Sequence, residues 1–227
     1  MEPLHHEEIA GRGTPFVLLH GVLDAPSAWA RVARALGAAG RRAVLVHARG
    51  HGGSGPWSPG MAWSPQADAA DVADLLRRVA PDGAHLVGHS RGGTSACWVA
   101  AEDPRLARSL AVVCSPPQAT EAFRARFRHR LAQARDGRER AALEYLSRIP
   151  DDDFPQHALR RFERPALVVE AGDDPLYSPT DTLFWRAFLP YARFERVEGG
   201  HRFFADDPGA ARLAAMLLDL AAEAERA

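Results

Sequence analysis

The sequence predicts an α/β fold, a mostly parallel sheet covered by helices. Three observations predict it. Short apolar runs of β type alternate with amphipathic stretches of helical period. One such run passes straight into a glycine-bracketed turn and then a helix, at "LVGHSRGG", residues 86–93. The length of 227 residues, 46% of them apolar and 25% charged, suits one domain with a substantial core.

Taken in order, the segment Leu4 to Ile9, the turn "GRGT" and "PFVLLH" are expected to form an N-terminal hairpin. A helix follows from Ala25 to Ala39, with Trp29, Val32, Ala33 and Leu36 at helical spacing. "AVLVH" (Ala43 to His47) is the next strand, and "RGHGGSG" is a loop by composition. Gln66 to Val79 is a helix: Val72, Leu75, Leu76 and Val79 share a face opposite Asp68, Asp71 and Asp74. "AHLVGH" is a strand, Gly92 to Glu102 the helix behind it, and "SLAVVCS" another strand. From Pro116 to about Arg164 the chain is arginine-rich and helical in pattern. "PALVVEAG" and "ARFERVEGG" are the last strands, and Pro208 to Ala224 closes the chain as a helix on Leu213, Met216, Leu217 and Leu220.

A formal net charge of −1 gives no support to nucleic-acid binding or to an anionic membrane surface. The longest apolar runs, such as Phe16 to Leu19 and Leu110 to Cys114, are far too short to span a bilayer. The start "MEPLHHEEIAG" has acidic residues where a signal peptide needs a basic flank, so the expected compartment is the cytoplasm. Cys97 and Cys114 read as small core hydrophobes, with a disulfide as the minor alternative. His5-His6 reads as a solvated pair and no cluster has ligand spacing, so neither metal nor cofactor is expected.

Gly-x-Ser-x-Gly between a strand and a helix lifts the serine hydroxyl clear of the sheet, which makes Ser90 the candidate nucleophile. A serine hydroxyl needs a base to take its proton and a third group to orient that base. His201, in "EGGHRFF" after the last strand, is the candidate base. Asp174, in "EAGDDPLYSP" after the preceding strand, is the candidate acid because Pro175 fixes its backbone; Asp173 is the runner-up. An oxyanion needs two N–H donors. Arg91 supplies one, and Val22, after His20-Gly21, supplies the other. His20 either supports that loop or takes part in binding, structural support being the preferred role.

In "LLHG" followed by Trp29, "RGHGGSG", "VGHSRGG", "AGDDP" and "EGGHRFF", the chain resembles the α/β-hydrolase superfamily over nearly its whole length. The resemblance implies a mostly parallel eight-stranded sheet. It also implies a core of residues 1–116 and 165–227 and a helical lid, 117–164, inserted after the sixth strand. It gives Ser90, Asp174 and His201 as triad, and Val22 and Arg91 as oxyanion donors. Three departures stand out. His47 occupies the aspartate position of Asp-x-Arg-Gly-His-Gly. Arg91 follows the serine where methionine or leucine is common, and its guanidinium either recognises a substrate carboxylate or makes a salt bridge outward. The acid loop is one residue short of a common form, which keeps Asp173 open. Haloalkane dehalogenases and epoxide hydrolases of this fold use aspartate at the nucleophile, and Ser90 argues against both.

In the lid segment Phe123, Phe127 and Leu131 form a stripe that could roof a pocket. Arg124, Arg126, Arg128, Arg130 and Arg135 occupy the other faces, either as a solvated surface or as an anion site for coenzyme A or a carboxylate. Trp63, Trp98, Trp185, Phe184 and Tyr177 are pocket candidates with core packing as the default, and Trp185 is carried as a substrate contact beside His20, Arg91, Phe123 and Phe127. The leading expectation is a cofactor-independent serine hydrolase acting on a small ester or thioester. The alternatives are a C–C bond hydrolase or a menaquinone-pathway type of lyase with a carboxylate-bearing substrate, and a non-catalytic ligand binder.

Overall fold

The computed structural model describes residues 2–56, 64–135, 137–150, 154–178 and 180–226. Their strands are β1 (His6–Ile9), β2 (Arg12–Leu19), β3 (Arg41–Val46), β4 (Ala84–His89), β5 (Ala107–Val113), β6 (Ala166–Ala171) and β7 (Arg193–Val197). These form one sheet in the order β1-β3-β2-β4-β5-β6-β7, parallel except for β1. Helices α1 (Ala30–Ala38), α2 (Pro65–Val79), α3 (Arg91–Glu102), α7 (Asp181–Phe188) and α8 (Asp207–Arg226) accompany the strands. Helices α4 (Glu121–Leu131), α5 (Gly137–Leu146) and α6 (Gln156–Leu159) lie in the long connection from β5 to β6.

Local chemistry accounts for the boundaries. Ser64 accepts a hydrogen bond from the Ala67 N–H and Pro65 opens α2, while Arg77 and Arg78 sit in its last turn, where the helix dipole favours cations. Thr120 caps α4 through the Phe123 N–H. Along β2 the side chains alternate: Val17 and Leu19 join the apolar layer shared with α2 and α3, Phe16 and Leu18 the layer shared with α1 and α8. The central strands are buried on both faces and therefore read as continuous apolar runs. In the second layer Trp29 is fully buried and stacks on Phe204, ring centroids 4.6 Å apart.

Two expectations are corrected. The N-terminal segments do not form a hairpin: β1 pairs antiparallel with β3, His6 opposite Val46, and β2 runs parallel to β3 on its other side. The connection crosses the start of β3 so closely that a Cβ on Gly11 would overlap the Arg41 backbone. The described residues also hold seven strands rather than eight, because a single strand precedes β2, and the helical insertion follows the fifth of them. Helix α7 has no counterpart among the expected elements. Cys97 and Cys114 are free and buried, and no helix among the described residues is long and apolar enough to cross a membrane.

The order places β2 between β3 and β4, so successive connections leave it in opposite directions. The crevice at the carboxyl ends of β2 and β4 is where an open α/β sheet receives its ligand.

Three buried histidines, two in β4 and one just after β2, carry a stability consequence. Burial pushes His20 and His89 down to about 3 and His85 to about 4, from an ordinary value of 6.5. The unfolded chain therefore binds protons near 6.5 that the folded chain refuses, so their contribution is complete above 6.5 and is lost as pH falls below it. Stability should drop by roughly 1.4 kcal/mol per histidine per pH unit in that window. Denaturant melts between neutral pH and about pH 5 should show this slope, reduced by one proton in His85→Gln.

Candidate active site

Strand register builds the site. Leu19 lies opposite Gly88 and His89 opposite Val113, so the segments after β2, β4 and β5 emerge side by side. Ser90 stands at the β4–α3 junction with φ 52° and ψ −124°, a left-handed conformation that costs a non-glycine residue on the order of 1–3 kcal/mol. The turn is tight because a Cβ on Gly88 would overlap the Gly92 backbone, and one on Gly92 would overlap the Leu19 carbonyl. Arg91 is the first residue of α3, so its N–H is among the first-turn donors that a helix leaves to outside acceptors. On the neighbouring strand end, a Cβ on Gly21 would stand 3.3 Å from the Ser90 Cβ, which brings the Gly21–Val22 backbone against the serine.

His201 and the acid come from the loops after β7 and β6. His201 Nδ1 lies 2.8 Å from Asp174 Oδ2, and the Asp174 side chain is wholly buried. The other oxygen of Asp174 accepts from the Leu176 N–H at 2.9 Å, an Asx turn that fixes the carboxylate. Asp173 is exposed; its backbone N–H donates to Gly199 in the histidine loop. His89 places a ring nitrogen 2.8 Å from the His201 carbonyl, and the two rings are 4.6 Å apart. With burial keeping His89 neutral, that nitrogen is the donor.

Ser90, His201, Val22 and Arg91 all line a cavity of about 270 Å³. No hydrogen bond joins Ser90 Oγ to the His201 ring among the described residues, a contact that in such sites tightens when substrate binds. The far walls are apolar: Phe123, Phe127, Leu146, Ile149 and Phe154. Thus Phe123 and Phe127 stand where the sequence pattern expects them. His20 lies off the cavity lining: it is buried, its Nδ1 2.8 Å from the Gly21 carbonyl and its Nε2 accepting from the Ala48 N–H. Trp185 is likewise a core residue, donating to the Ser115 carbonyl and packed on Phe154. Trp98 and Tyr177 pack against the core, Phe184 is partly exposed, and Trp63 lies outside the described residues.

The Arg91 side chain turns inward. Its Nε lies 2.6 Å from Asp68 Oδ2, a second guanidinium nitrogen contacts the same oxygen, and both residues are buried. The side chain is thus ion-paired to α2 rather than directed outward to solvent. His47, at the aspartate position of the motif, accepts the Gly53 N–H through Nδ1 at 2.8 Å as a carboxylate would, and its Nε2 meets Glu7 at 3.0 Å.

A family model described as alpha/beta hydrolase fold matches residues 14–144, more than half of the chain, and the chain belongs to that family. Over 109 residues it is 38% identical to an sn-1-specific diacylglycerol lipase of Xenopus tropicalis, covering 48% of this chain and 33% of the relative. Over 108 residues it is 38% identical to a fluoroacetate dehalogenase of a Burkholderia species, covering 46% of this chain and 35% of the relative. The matched segments thus span about a third of these curated relatives. Among solved structures, a thermophilic esterase from Thermogutta terrifontis superposes with a TM-score of 0.81 at 18% identity, over 97% of this chain and 93% of that one; this likeness is one of fold.

The buried pair yields a prediction. Arg91→Ala should cost about 3 kcal/mol in urea unfolding, because it strands the Asp68 carboxylate in the interior, and Asp68→Leu/Arg91→Met should recover most of that loss. A substrate clamp at Arg91 would instead raise KM with stability unchanged.

Proposed function

We propose that this protein is a serine hydrolase that cleaves a carboxylic ester or thioester through an acyl-enzyme. The observation that carries the reading is the hydrogen-bonded Asp174–His201 pair on the wall of the same cavity that the strained Ser90 turn enters. Ser90 Oγ attacks the carbonyl carbon while His201 Nε2 takes its proton. The Val22 and Arg91 N–H groups receive the oxyanion, and Asp174 holds the imidazolium in place. The C–O or C–S bond then breaks as the imidazolium gives its proton to the leaving oxygen or sulfur. Water, deprotonated by the same imidazole, attacks the acyl-enzyme and releases the acid and Ser90.

In this reading the segment 117–164 is the lid, and its Phe123, Phe127, Leu146, Ile149 and Phe154 line the cavity that Ser90 also lines. A cavity of about 270 Å³ with Phe123, Phe127, Leu146 and Ile149 on its walls suits a modest apolar acyl group. The lipase relative supports ester chemistry. The dehalogenase relative does not alter the reading, since the enzymes of this fold that displace halide use aspartate where Ser90 stands. The lyase alternative called on the Arg91 guanidinium and the lid arginines to clamp substrate carboxylates, and of these Asp68 occupies Arg91.

Wild type should react with a fluorophosphonate probe at Ser90 and turn over medium-chain nitrophenyl esters. Ser90→Ala should abolish labelling and lower kcat about 10⁵- to 10⁶-fold. Asp174→Asn should lower it about 10⁴-fold, whereas Asp173→Asn should stay within about twofold of wild type, as exposed substitutions do. A folded wild type that neither reacts with the probe nor cleaves any ester overturns the proposal.

A further inference from the structure

We infer that a groove beside the cavity binds a phosphate carried on the leaving group of the substrate. The inference rests on the serine hydrolase reading and adds the class of alcohol or thiol released. The groove shares Phe127, Arg130, Leu176 and His201 with the cavity, so it opens directly off the imidazole. Its remaining lining is Ala122, Arg126, His129 and Pro175, and no carboxylate stands among its described lining residues. In the mechanism above His201 protonates the departing oxygen or sulfur. The part of the substrate that continues past His201 into this groove is therefore the leaving group, and the acyl part fills the apolar cavity.

The arginines of α4 divide between the groove and the rest of the fold. Arg124 donates to the Ala119 and Ile149 carbonyls and pairs with Glu121. Arg128 pairs with Glu121 and donates to the Ser147 carbonyl. Neither lines the groove. Arg126, which does, is exposed and makes no hydrogen bond or ion pair among the described residues. Arg130 reaches Glu139 at 3.6 Å, a carboxylate that Arg135 holds more closely at 3.0 Å. Arg126 and Arg130 are four residues apart on one helix, where like charges are neighbours and repel. A phosphate monoester relieves that repulsion and offers its terminal oxygens, with a charge near −2, to two planar guanidinium forks, with the His129 ring beside them. Elsewhere on the cavity lining Arg202 faces Asp24 at 3.5 Å and leaves less net charge for an anion.

Two matched pairs of substrates test this and separate the two sources of such a phosphate. Octanoyl-coenzyme A is compared with octanoyl-pantetheine, and octanoyl-glycerophosphate with monooctanoylglycerol. In at least one pair the phosphorylated member should show about a tenfold higher kcat/KM, arising in KM, and the preference should shrink with added salt. Arg126→Ala/Arg130→Ala should bring that preference close to one, and Arg128→Ala should retain it. The pair that shows the effect identifies the leaving group as a nucleotide thiol or a glycerophosphate alcohol. No preference in either pair, or a preference that survives in the double variant, overturns the inference. Turnover of the unphosphorylated members, or probe labelling at Ser90, then shows whether the hydrolase reading still stands.

Discussion

The backbone of Ser90 is the constraint on which the rest of the site depends. A residue with a side chain is held at φ 52° because three neighbours leave it no alternative. Its N–H donates to the Val113 carbonyl on β5 at 3.0 Å, its carbonyl accepts from Gly93 in α3 at 2.8 Å, and Gly92 rests against the end of β2. Among the described residues the other non-glycine residues with positive φ are Leu23 and Cys114, which follow the carboxyl ends of β2 and β5. The strain is therefore gathered around one crevice. It is sustained by strands buried on both faces, whose packing exceeds the few kcal/mol that each such residue costs.

The same strand that presents the serine also locates the histidine. His89, one residue earlier, donates to the backbone carbonyl of His201, while Asp174 engages the ring of the same residue. The loop after β7 is thus held by β4 through its main chain and by the loop after β6 through its side chain. Neutrality matters for the first contact: a charged imidazole at His89 would be costly in that interior and would repel a protonated His201. Burial, which pushes His89 down to about 3, keeps it neutral through the physiological range.

Much of this was legible in the sequence because it is local. Strand, Gly-x-Ser-x-Gly and helix follow one another without a break, and the acid and histidine loops are marked by "AGDDP" and "EGGHRFF". What the sequence does not carry is partnership at a distance. Residues 6–9 and 12–19 look like strands, but nothing in them says that β3 enters between the two. Arg91 is visibly a charge beside the serine, yet its partner Asp68 lies 23 residues earlier on a helix where it reads as solvent-facing. Helix α7 was hidden because Leu183 and Phe184 stay exposed while Asp181 is buried, which blurs the periodic stripe that marks a surface helix. The choice between Asp173 and Asp174 as partner of His201 depends on the Asx turn at Leu176 and on the pairing of Asp173 with Gly199, neither of which composition reveals.

Arg91 shows how one position can serve two ends. In the proposed mechanism only its N–H matters to the reaction, and a main-chain donor constrains the side chain little. The side chain is free to join α3 to α2 through Asp68, which also neutralises a cation that would otherwise stand in the floor of the cavity. The oxyanion then meets fixed N–H dipoles rather than a mobile guanidinium, and a dipole held by strand and helix needs no reorganisation as charge develops. On α4, Arg126 lines the adjoining groove and Arg130 lines both groove and cavity, so the helix's positive charge stands toward the groove and away from the Arg91–Asp68 pair. Separating the two tasks in space allows a chain with a net charge of −1 to hold a neutral reaction floor beside a cationic rim.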